Sequence, residues 1–228
     1  MFCEKTTRDM FIIFFILFKL GYCFSQMDLL PHILHENYGM TQEPNQPELY
    51  GTFGWSESDQ PLLLLVPGAH STFATWSRRV TKKYGFNVGT MLPYVYKGVE
   101  CGYDVLITQP LKYDSMYLHN ILRYIQQKSD KKVNIIAHSF GGQCVINVLD
   151  SFQTMFGSIH LLDSVNGLEP EHLQKPLSSI INWAESEAPL GTLLYDNDSY
   201  MIWKSAGHDI HEYTPYTAHG AVFKYLCK

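Results

Sequence analysis

Ala137-His138-Ser139-Phe140-Gly141-Gly142 places one serine between small neighbours, directly after an apolar run and before a segment with helical spacing. Small residues two before and two after a serine suit a strained strand-to-helix turn. There the flanking chain packs closely, and the next backbone N–H faces a developing oxyanion. Ala137 stands at the first small position, where glycine is the commoner choice. Ser139 is the candidate nucleophile. The N–H of Phe140 would be one oxyanion donor, and an N–H of Ala69 or His70, after an earlier apolar run, the other. A serine hydroxyl is a weak nucleophile near neutral pH unless a histidine takes its proton and a carboxylate orients that histidine. Asp163 and His211 follow Ser139 in the order serine, acid, histidine, each just beyond an apolar run. His208 and His219 compete with His211, and Asp209 and Glu212 compete with Asp163. The chemistry implied is acyl transfer from a carboxylic ester.

Such side chains converge only if the chain brings the ends of several strands together. Leu62-Leu63-Leu64-Leu65-Val66, ended by Pro67-Gly68, reads as a strand buried on both faces of a parallel sheet. Tyr103 to Ile107, Val133 to Ala137, Ser158 to Leu162 and Tyr200 to Lys204 read the same way. Between them, Thr90 to Gly102, Asp114 to Gln127, Gly142 to Phe152 and Glu169 to Trp183 carry helical spacing; in the second, Tyr117, Leu118, Ile121, Leu122 and Ile125 share one face, with Asp114 or Ser115 as N-cap. Alternating strands and helices imply a three-layer α/β sandwich with about five mainly parallel central strands. Its ligands would lie at the carboxyl ends of the strands, where Ser139, Asp163 and His211 fall.

Residues 26–60, rich in Pro, Gln, Glu and Asn without a sustained period, read as an irregular arm. In residues 1–25, the run Met10 to Phe18 follows Lys5 and Arg8 and precedes small residues at Cys23 and Ser25, the layout of a signal peptide with a cleavage site before Gln26, or of a hydrophobic anchor. Lys19 stops that run short of the ~20 apolar residues a spanning helix needs. Asn197-Asp198-Ser199 is a glycosylation acceptor if the chain enters the secretory route.

The 228 residues carry 17 Lys+Arg against 22 Asp+Glu, a formal charge of -5, and the basic residues cluster at most in pairs, so direct nucleic-acid binding through a basic face is not expected. Hydrophobic residues at 46% and charged ones at 17% exclude disorder for most of the chain. The five cysteines are too few and scattered for a disulfide framework and form no CxxC, so no zinc site is expected. His32-x-x-His35 is assigned to the arm, without a metal role. No phosphate-cradling glycine pattern occurs, and no cofactor is expected. Trp76 and Asn182-Trp183 read as scaffold, and Cys144 as a small core residue.

Several motifs in order resemble the Argonaute-binding-protein family and its animal cotranscriptional-regulator branch. They are Leu64-Leu65-Val66-Pro67-Gly68, Trp76-Ser77-Arg78-Arg79, Gly89 to Pro93 with Gly102 to Val105, Ala137 to Gly142, Asp163-Ser164-Val165, Asn182-Trp183 with Pro189-Leu190, Ser205-Ala206-Gly207 with His211-Glu212, and Phe223 to Leu226. The resemblance covers about Pro61 to Leu226, so residues 61–228 are assigned to one Argonaute-binding-type domain. It implies an α/β-hydrolase-like fold without a cap domain, with Ser139, Asp163 and His211 on the family's nucleophile, aspartate and histidine positions. It also implies an adaptor in small-RNA-linked gene silencing, heterochromatin formation or cotranscriptional regulation, with Argonaute or chromatin proteins as partners. The alternative is a secreted or membrane-attached serine esterase using the triad. The resemblance points to the nucleus or cytoplasm, the leader to the secretory pathway or endoplasmic reticulum. The chain departs from the animal branch in lacking a long charged insertion between Pro110 and Asp114 and a basic tail after Lys228.

Overall fold

The computed structural model describes residues 26–109, 115–164, 180–197 and 201–227. The leader, the 110–114 connection and the 165–179 connection lie outside the described residues, as do Asp198 and Ser199 of the glycosylation triplet. The chain divides into two units, residues 1–30 and 31–228. In the first, Gln26–Leu29 form a 3-10 turn.

Elements follow in the order α1 (Leu30–Tyr38), β1 (Met40–Glu43), β2 (Gln46–Thr52), β3 (Leu62–Val66), α2 (Arg78–Tyr84), α3 (Phe86–Gly89), α4 (Leu92–Glu100), β4 (Asp104–Thr108), α5 (Ser115–Lys128), β5 (Val133–His138), α6 (Phe140–Phe152), β6 (Phe156–Leu162), β7 (Ile180–Ala184), β8 (Leu193–Asn197), β9 (Met201–Ser205), a 3-10 turn (His211–Tyr213) and α7 (Thr214–Leu226). Nine strands form one sheet in the order β1-β2-β4-β3-β5-β6-β7-β9-β8. The inner six, from β4 to β9, are parallel; β1, β2 and β8 are antiparallel.

The run Leu62–Val66 is fully buried because β3 lies between β4 and β5 and is covered on both faces. Leu62, Leu64 and Val66 face a core built with Leu118, Ile121, Leu122 and Ile125 of α5 and Val145 and Leu149 of α6. Each such side chain contributes about 1.5–3 kcal/mol when removed from water. Against the other face lie α4 and α7, which contact β4 and β6. The fold is an α/β-hydrolase-like three-layer sandwich. From β3 the chain passes to β4 on one side and then returns to β5 on the other. The crevice at their carboxyl ends is therefore a topological switch point, the place where open α/β sheets bind ligands.

Two readings of the sequence need correction. Residues 40–52, expected within an irregular arm, form the hairpin of β1 and β2, and β2 pairs with β4 through Leu49–Thr108 to Gly51–Leu106. Their polar composition belongs to a two-residue turn, Pro44-Asn45, and to solvent-facing positions at the sheet edge, which a search for apolar runs overlooks. The second concerns Glu169 to Trp183, read as a helix. Its described end is β7, a parallel strand beyond the five expected, buried throughout. Asn182 breaks the apolar run there and hides its strand character.

One pair of cysteines is bridged. Cys101, at the end of α4, and Cys227, at the end of α7, are joined by a disulfide with a Cα–Cα distance of 5.4 Å. Cys144 lies in the core, as its reading as a small apolar residue implies. No described helix is long and apolar enough to cross a membrane.

Candidate active site

Ser139 closes β5 and caps α6 with φ 54 and ψ -128, a conformation costly for a residue with a side chain. Its hydroxyl makes no capping bond to the helix. The strain is maintained by contacts that leave no room for larger neighbours. A Cβ at Gly141 would come within 2.5 Å of the Pro67 carbonyl oxygen and 2.8 Å of that of Val66, and one at Gly142 within 2.1 Å of Ser164 Oγ. A Cβ at Gly68 would sit 3.1 Å from Ser139 Cβ, so the loop after β3 abuts the serine. Half-buried Ala69 and exposed His70 follow in that loop, and Phe140 is the first residue of α6. These glycines let the loop after β3 approach the start of α6 closely.

Asp163 lies after β6, also at positive φ, 46. Its N–H donates to the Trp183 carbonyl at 2.8 Å. Asn182, fully buried, clamps the next residue: its Oδ1 accepts from Ser164 N at 3.2 Å, and its Nδ2 donates to Ser164 O at 2.9 Å. Ser164 Oγ donates to the Ala137 carbonyl, tying this turn to β5. Asn182, read as scaffold, therefore positions the turn that carries Asp163. The signal available in the sequence was an amide inside an otherwise apolar strand.

His211, at the start of the 3-10 turn before α7, places Nδ1 2.7 Å from Asp163 Oδ2, while Asp163 Oδ1 accepts from the Glu185 N–H at 3.1 Å. The hydrogen bond to Asp163 is the main cause of a His211 pKa above the ordinary histidine range; burial opposes it, and the Asp163, Glu212 and Glu185 charges add to it. With Nδ1–H directed at the carboxylate, Nε2 holds the lone pair a general base needs. The competing residues are engaged elsewhere. Glu212 Oε2 accepts from Arg79 Nη2 at 2.7 Å, His208 Nδ1 lies 3.3 Å from Asp209 Oδ1, and His219 Nε2 faces the Pro93 carbonyl at 3.2 Å. Ser139 Oγ makes no hydrogen bond to His211; catalytic hydrogen bonds of this kind often align only with substrate present.

His138, beside the serine, has a larger part than its place in the motif suggested. It is 3% exposed, and its ring stacks on His211 with centroids 4.8 Å apart. Burial, reinforced by the nearby His211, pushes its pKa down to about 3. On its other flank Trp76 packs edge-on with centroids 6.2 Å away. The ligand atoms of Asp163, Glu185 and His211 all lie within 4.8 Å of one another, so these are the described residues that could jointly hold a divalent cation. Asp163 is already engaged by His211 and the Glu185 N–H.

No family model matches the chain. In sequence it is similar to a protein of Dictyostelium discoideum named as a cotranscriptional regulator ARB2A homolog, 20% identical over 260 aligned residues, covering 89% of this chain and 68% of that protein. It is also similar to a FAM172 family protein homolog of Caenorhabditis elegans, 27% identical over 190 residues, covering 72% of this chain and 59% of that one. The chain thus spans about three fifths to two thirds of these relatives' lengths. Among solved structures it is similar to an α/β hydrolase from the metagenome of lagoon sediments at Mar Chica, Morocco, 13% identical with a TM-score of 0.40, covering 57% of this chain and 53% of that one. The two sequence relatives carry the resemblance read from the ordered motifs: this chain is similar to the cotranscriptional-regulator branch of the Argonaute-binding-protein family, on an α/β-hydrolase-like fold.

Proposed function

We propose that the chain is a serine hydrolase of small carboxylic esters. The observation that carries this reading is the 2.7 Å approach of His211 Nδ1 to Asp163 Oδ2 at the switch point that also holds Ser139 at positive φ. In the reaction, Ser139 Oγ attacks the ester carbonyl while His211 Nε2 takes the hydroxyl proton. Asp163 holds the imidazole in the productive tautomer and favours the imidazolium. The Phe140 N–H and an N–H of Ala69 or His70 bind the oxyanion. Collapse of the tetrahedral intermediate releases the alcohol, which takes the proton from His211. Water, activated by the same histidine, then frees the acid and restores the serine.

A fluorophosphonate probe with Ser139→Ala as control tests this, because an activated serine is phosphonylated and an ordinary one is not. Labelling of the parent chain and not of the variant is expected. A folded parent that is not labelled overturns the reading.

A second reading, an adaptor in small-RNA-linked gene silencing or cotranscriptional regulation, is favoured by the relatives' names and by matches that run over 89% and 72% of the chain, well beyond the serine turn. Its partners would be Argonaute or chromatin proteins. Argonaute pull-down from nuclear extract should then be unchanged by Ser139→Ala; loss of capture in the folded variant would count against it.

A further inference from the structure

Asp163 fixes the candidate general base at one point only. Its Oδ2 meets His211 Nδ1 at 2.7 Å, and a single hydrogen bond of that kind leaves the imidazole free to swivel about the line between the two atoms. The His211 side chain is 38% exposed, so solvent on its open face gives no support. A second constraint is needed to hold its plane.

His138 supplies a flat surface at that place. It closes β5 immediately before Ser139, and its ring lies against that of His211 with centroids 4.8 Å apart and planes inclined by 28°, the spacing of an offset aromatic pair. The His138 ring is itself held. It is 3% exposed, Trp76 packs edge-on against it at 6.2 Å, and Trp76 is backed in turn by Tyr94, edge-on at 5.1 Å, whose hydroxyl donates to the Pro215 carbonyl at the start of α7. A row of four rings thus runs from α4 to His211. His138 also stays uncharged, because burial and the neighbouring His211 outweigh the His211 backbone and the Asp163 charge and bring its pKa to about 3. A second charge at this distance would oppose the imidazolium that forms when His211 takes the serine proton.

We propose that His138 is a positioning residue of the hydrolase site: its ring holds the plane of the His211 imidazole and so keeps Nε2 aligned for the Ser139 proton. The inference deepens the serine-hydrolase reading and rests on it. Asp163 then sets the position and tautomer of His211, and His138 its orientation.

Hydrolysis of p-nitrophenyl acetate by the full chain tests it, with His138→Leu removing the flat ring at similar bulk and His138→Phe restoring one. His138→Leu should lower kcat about tenfold to a hundredfold and leave KM unchanged, since only the alignment of the base is lost. His138→Phe should recover kcat to within about threefold of the parent. The low-field proton resonance of His211 Nδ1–H reads the same constraint without turnover: sharp in the parent and in His138→Phe, broadened in His138→Leu. Where His138→Leu does not fold, His138→Met, whose unbranched chain fits irregular space, takes its place. Parental kcat and a sharp resonance in His138→Leu, or a loss of kcat in His138→Phe as large as in His138→Leu, would overturn the inference. A parent chain that shows the expected resonances but hydrolyses no ester would overturn the hydrolase reading and leave the ring constraint upheld.

Discussion

The imidazoles of His138 and His211 lie nearly parallel, with centroids 4.8 Å apart and planes inclined by 28°. One is buried and held neutral; the other is coupled to Asp163 and favours its proton. The two rings answer oppositely to pH. A neutral, buried His138 stabilises the fold above the unfolded-state value of about 6.5, and this contribution is lost as pH falls toward its folded value of about 3. His160, pushed down to about 4 by burial, acts in the same direction. Acid unfolding should therefore begin below pH ~6.5, with each histidine costing up to about 1.4 kcal/mol per pH unit. His138→Phe, which retains an aromatic ring against His211 and removes the titration, should move the acid-unfolding midpoint to lower pH. An unchanged or higher midpoint in a folded variant would show that His138 is not the group protonated.

His211 has the opposite sign. Its raised pKa adds stability that is full below about pH 6.5 and is lost as pH rises through the folded value. For hydrolysis the neutral ring is the active form, so the rate should climb with pH through a midpoint above 6.5. Asp163→Asn removes the principal cause of the shift. It should lower that midpoint and cost about 10⁴-fold in kcat, the scale set by the equivalent change in a serine protease triad. A pH profile of short-chain ester hydrolysis, measured on both proteins, checks position and magnitude together.

How far the sequence discloses this arrangement depends on which forces fix each part. The buried parallel strands stand out because burial on both faces demands unbroken apolar runs, as in Leu62–Val66. The serine turn stands out because Gly141 and Gly142 answer to contacts a side chain would violate. Pairing at the edge leaves no such mark, so polar composition hides β1 and β2. Among the histidines and acids near residue 210, proximity along the chain is a poor guide. Glu212 adjoins His211 in sequence yet is turned to Arg79, while Asp163, 48 residues away, makes the hydrogen bond. Only the register of β6 and β7 and the Asn182 clamp decide that, and neither has a local sequence signature.

Two glycines make opposite predictions from the same substitution. At Gly141 an added methyl meets the Pro67 and Val66 carbonyl oxygens at 2.5 and 2.8 Å, and backbone rather than a flexible side chain must move. Gly141→Ala should destabilise the fold by about 1–3 kcal/mol and abolish fluorophosphonate labelling. Gly220 lies within α7, where an added methyl would have nothing within 4 Å, so Gly220→Ala should stabilise by about 0.5–1 kcal/mol. Urea unfolding of the two variants distinguishes them by sign alone.

The bridge between Cys101 and Cys227 fastens the end of α7 to the end of α4 across 126 residues of chain. Neighbouring contacts act alongside it: Tyr103 OH, in the turn after α4, donates to the Leu226 carbonyl at 2.9 Å, and Tyr94 OH, within α4, to that of Pro215. Helix α7 continues directly from the turn bearing His211, so this fastening also restrains the position of the histidine. Closing so long a loop lowers the entropy of the unfolded chain by an amount worth about 4–5 kcal/mol in the chain-entropy picture. Cys101→Ser should therefore lower the melting temperature, and dithiothreitol should lower that of the parent chain while leaving the variant unmoved. With Tyr94 and Tyr103 still in place, the folded variant should keep fluorophosphonate reactivity at moderate temperature and lose it earlier on heating. A melting temperature indifferent to both the substitution and the reductant would show that the bridge adds nothing to the clamp between the two helices.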